Sequence, residues 1–453
     1  MTQDNITDKE IDFGNEKIGR LFRSIFFPTL VGMVFMSLAT IIDGVFTGRG
    51  VGAEGIAAVN IVAPLFMLMS GLGLMFGIGA SVIASIKLAE NNQAEARLIL
   101  TQAFVVGFII TMVVIGTCFT SPRGVVYALG CSKLLEKNAL DYMLWLAPGF
   151  LGVFWQCVGM MLIRLDGSPR YAMWLQVVSA VINIVLDWIF IFPLGWGVMG
   201  AGFATSIACF TAGIMALTYF IKFSSTLKFC RIDLNIKSAK KTLRNTWTMI
   251  KLGSSTFLSE VAMSVTMLAG NYMFMRLLHE DGVAAFAVAC YLFPVIYSVN
   301  NSVAQAAQPI ISYNYGAHNH SRVRQALHIS MFTAMICGIC VTAFLWFAAH
   351  PIVLMFLDPS ATAFNLAVEG MPLFALCALC FAINVAAIGY YQSIAKPGLS
   401  AAYTALRGVI FSVPCLILLP KSIGVPGLWL AIPLAELLTL AVIAVVWVCR
   451  LKR

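Results

Sequence analysis

The chain has 453 residues, of which 60% are hydrophobic and only 11% are charged, whereas a soluble domain runs near half apolar and about a quarter charged. A water-soluble globular fold is excluded, because apolar runs of the roughly 20 residues that cross a hydrocarbon core of about 30 Å recur along the whole length. The net charge of +9 would suit nucleic acid on composition alone, but the basic residues lie in loops assigned to one side of a membrane, and no nucleic-acid partner is expected.

Residues 1–21 are polar and charged. The apolar segment after them runs too long to be a removable signal sequence, so it is expected to remain as the first helix. Six candidate spans follow at about 22–46, 56–88, 98–119, 137–163, 171–193 and 199–222. Six more fall at about 250–278, 283–312, 326–349, 367–394, 399–420 and 425–449. The most polar stretch lies between the sets, carrying Lys222, Lys228, Arg231, Lys237, Lys240, Lys241 and Arg244. The expected organisation is thus an N-terminal segment 1–21, a first lobe 22–222, a basic linker 223–249, a second lobe 250–449 and a tail 450–453.

With the N-terminus placed in the cytoplasm, Arg49, Arg123, Lys133, Lys137, Arg276 and Lys421 fall on the outer side and Arg407 lies within a span. The remaining 22 of the 29 Lys and Arg residues are cytoplasmic. By the positive-inside rule both termini are expected in the cytoplasm, with the chain in the cell (inner) membrane. The halves also repeat. GIAAVNIVAPLF at 55–66 aligns without gaps on GVAAFAVACYLF at 282–293, and Gly197 and Gly200 meet Gly424 and Gly427 in the same register. The fold class is therefore an all-α integral membrane protein of about 12 transmembrane helices in two pseudo-symmetric six-helix lobes. Six helices per unit give both lobes one orientation, with substrate expected between them.

Enzymatic readings find little support. The five histidines, His279, His318, His320, His328 and His350, sit in loops or near span ends rather than paired at mid-membrane for haem ligation. No G-x-S-x-G, H-E-x-x-H or phosphate-binding loop occurs, so no enzyme activity, no cofactor and no ATP-driven step is expected within this chain. The twelve cysteines are scattered through apolar stretches and read as buried free thiols. Cys118 and Cys131 could meet near the outer face, where a disulfide is the lesser alternative to free thiols.

Ionisable groups inside a span cost several kcal/mol on insertion scales, which makes each a functional candidate. In the first half these are Asp43, near the outer end of the first helix, and Asp187 in the fifth. Asn183 stands four residues before Asp187 and so shares its helical face. Thr205 in the sixth helix adds a hydroxyl. Two carboxyls, an amide and a hydroxyl supply the oxygen ligands that a hard cation such as Na⁺ favours, or hold a proton. A purely structural role for the four, linking helices by hydrogen bonds, is the alternative. In the second half Glu260 and Arg407 each lie about ten residues into a span. Neither should stand unpaired: an ion pair between them is one possibility, with Glu436 as a rival partner for the arginine. Glu260 is read as either a substrate contact or a structural pairing group.

The chain resembles the MATE family, the multidrug and toxic compound extrusion transporters, in its bacterial multidrug-exporter branch. The likeness rests on five stretches in order: IIDGVFTGRGVGAEGIAAVNIVAP from Ile41, IRLDGSPRYAM from Ile163, NIVLDWIFIF from Asn183, GVMGAGFATSIA from Gly197 and AQAAQPIISYNYGAHN from Ala304. That resemblance implies export of organic cations or amphipathic drugs in exchange for H⁺ or Na⁺. It also places the coupling cation at Asp43, Asn183, Asp187 and Thr205. Glu260 matches a carboxylate that some members use for a second cation site, but their acidic partner in the tenth helix is missing, because LFALCALCFAINVAAIGYY holds no Asp or Glu. Met160 and Met161 also stand where relatives often place Asn.

The expected activity is accordingly antiport by rocking of the two lobes in a lipid bilayer, by a chain acting as a monomer. A lipid-linked glycan flippase of the same superfamily is the rival reading. Its phosphate-bearing cargo calls for several cleft arginines, and only Arg407 qualifies.

Overall fold

A computed structural model describes residues 11–233 and 235–451. Lys9, Lys452 and Arg453, counted above as cytoplasmic charges, lie outside the described residues. The apolar runs fold as helices because each closes its backbone hydrogen bonds within itself, the condition for crossing lipid. In chain order they are α1 (Ile18–Gly50), α2 (Ala53–Ala89), α3 (Gln93–Thr120), the short α4 (Pro122–Ala128), α5 (Glu136–Leu146), α6 (Gly149–Leu165), α7 (Pro169–Ile191) and α8 (Gly197–Thr218). The second half comprises α9 (Ile236–Gly316), α10 (His320–Phe347), α11 (Ala349–Leu354), α12 (Thr362–Ala375), α13 (Cys377–Ser393), α14 (Pro397–Ala405), α15 (Ser412–Ile423) and α16 (Val425–Leu451). Among the described residues no strand occurs.

Ten helical stretches are long and apolar enough to cross a membrane, and α5 with α6, bent by 49°, makes an eleventh. The twelfth comes from α9. Its 81 residues would run to about 120 Å at 1.5 Å per residue, far beyond any bilayer, and the chain turns at His279, whose φ of 55° and ψ of −147° are not helical. Two spans result, as the apolar pattern predicts.

The repeat read from sequence is written into the backbone. Gly52 (φ 88°, ψ −167°) and His279 stand 227 positions apart in the same unusual conformation. Asn91 (φ 58°) and His318 (φ 57°) show that separation again, as do Gly197 (φ 58°) and Gly424 (φ 68°). Each of these residues ends or starts a span, so the two halves turn at equivalent points.

Packing divides the molecule into two compact units. One takes the described residues of Met1–Phe257 with Pro309–Val323, and the other Leu258–Gln308 with Arg324–Arg453. The end of α9 and the start of α10, which chain order places in the second lobe, thus belong to the first unit. Polar bonds explain the placement: the Arg322 guanidinium donates to the carbonyls of Phe13 at 3.0 Å and Glu16 at 2.7 Å, and Asn314 donates to Phe13 at 3.0 Å. Within the first unit, small residues let helices close on one another where lipid supplies no hydrophobic drive. At Gly152 a Cβ would come within 2.4 Å of the Cys209 backbone, so α6 and α8 touch through glycine.

The turn after α6 is fastened by Asp166. Its carboxylate accepts from the Tyr219 hydroxyl at 2.8 Å and from the backbone N–H groups of Ser225, Thr226 and Leu227 at 3.1, 3.0 and 2.6 Å. Asp166 thereby ties the start of the basic linker to the bundle. All twelve cysteines are free thiols, including Cys118 and Cys131, both buried, and the disulfide considered between them is not formed.

Candidate functional site

Inside the first unit, α1, α7 and α8 bring Asp43, Asn183, Asp187 and Thr205 into one neighbourhood. Asn183 and Asp187 share a face of α7 because they are one turn apart. The Asn183 amide donates to the Thr205 hydroxyl oxygen at 3.3 Å, and that hydroxyl donates in turn to the Ala201 carbonyl at 3.0 Å. Asp187 is fully buried, and its carboxyl faces that of Asp43 across the α1–α7 contact within hydrogen-bonding reach. Tyr142 of α5 is buried in the same unit. Sequence reading passes over this tyrosine, since its helix is half of a broken span.

The polar arithmetic of this cluster is incomplete. Both oxygens of Asp187 and one of Asp43 are sealed from solvent with no hydrogen-bond donor among the described residues. An unpaired buried polar group costs about 1–3 kcal/mol and a buried charge more. Two carboxyls facing each other cannot both stay ionised without something positive between them. A proton supplies that, and so does a small cation coordinated by the carboxyl, amide and hydroxyl oxygens.

The second unit resolves its charges differently. Arg407 lies in a π-helical turn, Leu406–Ile410, a widening of the α-helix that frees backbone carbonyls. The Ser412 hydroxyl satisfies the Arg407 carbonyl, and the Thr266 hydroxyl satisfies that of Gly408 at 2.9 Å. The Arg407 Nε donates to Glu436 at 2.9 Å, with both side chains buried. Asn384 of α13 donates to the other Glu436 oxygen and to the Glu436 carbonyl, each at 2.8 Å. The guanidinium also lies 4.1 Å from the centroid of the Phe381 ring.

Of the two partners left open for Arg407 by the sequence, Glu260 is not the one used. Arg407 takes the rival, Glu436, while Glu260 accepts from the Tyr297 hydroxyl at 3.0 Å. Equal depth in the membrane does not put two groups on facing sides of their helices, and depth was all that sequence gave for this pair. Asn384 went unnoticed as well. Its signal was visible, since it is the sole amide or acid in an otherwise apolar stretch from Leu376 to Ile388.

The family model described as MatE matches residues 28–189 and 256–417, one copy in each half. The multidrug export protein MepA of Staphylococcus aureus (strain NCTC 8325 / PS 47) is 24% identical over 428 residues, covering 93% of this chain and 92% of that protein. MepA of Staphylococcus haemolyticus (strain JCSC1435) is 25% identical over 415 residues, covering 90% and 88%. Among solved structures, an outward-facing multidrug resistance MATE family transporter of the MOP superfamily superposes with a TM-score of 0.91 at 20% identity, over 98% of both chains.

Proposed function

Because the chain belongs to the MatE family, we propose that it is a secondary active multidrug efflux transporter. It exchanges organic cations or amphipathic drugs for H⁺ or Na⁺ by alternating access. The observation that carries this reading is the facing pair Asp43 and Asp187, whose sealed oxygens lack donors. Such a pair binds a proton or cation from one side of the membrane and must release it for the empty state to re-form. A ligand shifts a conformational equilibrium only through its different affinity for the two states. Charge neutralisation supplies that difference: occupied, the pair tolerates a dry, closed environment, and empty, it does not.

Asn183 and Thr205 complete the oxygen set and hold the α7–α8 face in register. The Asn183–Thr205 bond leaves both carboxyls to the ion, which is why we assign the coupling role to the carboxyls and the orienting role to the other two. The near neutrality of the Arg407–Glu436 pair argues against a phosphate-bearing lipid cargo, and the multidrug names of the related proteins favour small molecules. In this reading the chain sits as a monomer in the inner membrane, with both termini and the basic linker on the cytoplasmic side, as its Lys and Arg distribution supports.

The test is ethidium export by inverted membrane vesicles that contain the full chain, with H⁺ and Na⁺ gradients imposed separately. Export driven by one gradient and lost in Asp43→Asn and Asp187→Asn is expected. No export of any cationic dye under either gradient overturns the reading.

A further inference from the structure

The mechanism above leaves unused a groove in the first unit, where α1 and α7 begin side by side. It holds about 500 Å³ of space. Arg20, Arg23 and Arg170 line one end of it, and Phe27, Val31 and Met173 line the other. Helical spacing produces this division. Positions 20, 23, 27 and 31 of α1 follow one another at three or four residues and so share a face. On α7, Met173 follows Arg170 at the same spacing. From Arg20 to Val31 the face climbs about 16 Å at 1.5 Å per residue, roughly half of a hydrocarbon core of about 30 Å.

Positive charge is in excess at the first end. Glu16 is the acid on the lining, and three arginines against one glutamate leave a net charge of +2. Neither Arg20 nor Arg23 forms an ion pair among the described residues, and Arg23 spends its Nε on the Gly19 carbonyl at 3.1 Å. The start of α7 adds the positive end of its dipole, with no side-chain cap from Ser168. The other end is apolar and open. Phe27 is 57% exposed and Val31 40%, and Trp174, one turn beyond Arg170, is 53% exposed. Basic pockets between helices at the membrane border are suited to anionic headgroups. The apolar wall that continues from this one suits the acyl chain joined to such a headgroup, for which a free phosphate has no use.

We infer that this groove is a binding site for one anionic phospholipid of the leaflet on the side where α1 begins. Arg20, Arg23 and Arg170 hold its phosphate, and an acyl chain lies along Phe27, Val31 and Met173. The lipid thereby bridges α1 and α7, the helices that carry Asp43 and Asp187. The site stands apart from the efflux reading, since it requires only that the chain sit in a membrane.

The experiment titrates the full chain in detergent with phosphatidylglycerol or phosphatidylcholine and counts the lipids retained by native mass spectrometry. Wild type should retain phosphatidylglycerol more tightly. Arg20→Gln with Arg23→Gln, both at exposed positions, should weaken that binding by about fivefold for each arginine, roughly 25-fold together, and leave phosphatidylcholine within about twofold. Glu16→Gln, which removes the acid from the lining, should tighten it. Lys228→Gln with Lys240→Gln removes as much charge from exposed positions outside the groove and should change little. In nanodiscs, phosphatidylglycerol brominated on its acyl chain should quench tryptophan fluorescence more than brominated phosphatidylcholine does, and Trp174→Phe should abolish the excess. Equal retention of the two lipids by wild type, unchanged binding in the arginine variant, or an equal loss in the lysine variant overturns the inference. Displacement of the lipid by equimolar glycerol phosphate also overturns it, because the groove would then recognise a free phosphate. Dye export is measured separately, so a chain that exports dye without preferring phosphatidylglycerol refutes only the lipid site.

Discussion

Two clusters of buried charge sit in the two units and are built on opposite principles. In the first unit Asp43 and Asp187 face each other with sealed oxygens and no donor. In the second, Arg407 and Asn384 each donate to one oxygen of the Glu436 carboxylate at 2.8–2.9 Å, with an aromatic ring as backing. Lipid penalises both kinds of burial, so the difference is not tolerance but use. A closed network rigidifies its surroundings and has no need of a mobile ion. An open pair is stable only when something that comes and goes completes it. The repeated halves therefore share a backbone plan but differ in how their buried charges are partnered.

That division predicts opposite phenotypes, and the largest effect belongs to the open pair. Asp187→Asn and Asp43→Asn should each reduce gradient-driven dye export to the background of vesicles lacking the chain, a loss of at least tenfold. Thermal unfolding in detergent should be unchanged or shifted upward, because a neutral amide replaces a carboxyl that has no donor. Variants that unfold rather than stop transporting would show that the carboxyls hold α1 on α7 and would erase the contrast. Glu436→Gln should behave the other way. It strands the Arg407 charge in a buried site and should cost about 3–5 kcal/mol, read as a loss of folded protein, whereas the double change Arg407→Gln with Glu436→Gln should recover most of it. A single variant as stable as its double would mean that the pair contributes nothing to the unit that houses it.

How much of this was readable from sequence follows from the kind of signal each feature leaves. Apolar length and the positions of turns are local, so the spans and the two-lobe repeat were legible, down to the register that pairs Gly197 with Gly424. The first-unit residues were legible because Asp43 and Asp187 are the acids inside their spans and Asn183 falls one helical turn from Asp187. The second-unit network was not, since partner choice depends on helix rotation, which depth in the membrane does not encode. That is why Arg407 stays open between Glu260 and Glu436 in the sequence and why Asn384 carries no assignment there. The Asp166 clamp was hidden for a related reason: its partners are mostly backbone N–H groups about sixty positions away, and backbone donors carry no residue signature.

The Asp166 clamp sharpens the comparison at a smaller scale. In the second half the equivalent turn carries Ile394, Ala395, Lys396 and Pro397, and Ile394, at the position equivalent to Asp166, has no carboxylate to fasten a following segment. Asp166→Asn should cost about 2 kcal/mol, because the amide turns a donor toward backbone N–H groups that need an acceptor. The effect should be local. Proteolysis in the segment after Phe223 should accelerate by roughly tenfold or more as the clamp opens more often. Equal acceleration at the turn after Ser393, where Ile394 stands in place of the carboxylate, would show that the whole bundle has loosened instead.

The smallest effect tests whether the repeat is physical down to single residues. Gly52 and His279 adopt the same region of positive φ with extended ψ, a region that side chains other than glycine enter only under strain of about 1–3 kcal/mol. A Cβ at Gly52 would meet no atom within 4 Å, so Gly52→Ala probes the backbone cost alone. It should shorten the half-life of the folded chain at a fixed elevated temperature by the equivalent of about 1 kcal/mol. His279→Gly removes the same strain from the other half, offset by the greater freedom that glycine gives the unfolded chain, and should lengthen the half-life by a similar or smaller amount. Opposite signs at the two positions are what a shared conformation requires. If His279→Gly destabilises instead, the imidazole contributes more at that turn than its backbone costs, and the two halves have diverged there as far as they have in their buried charges.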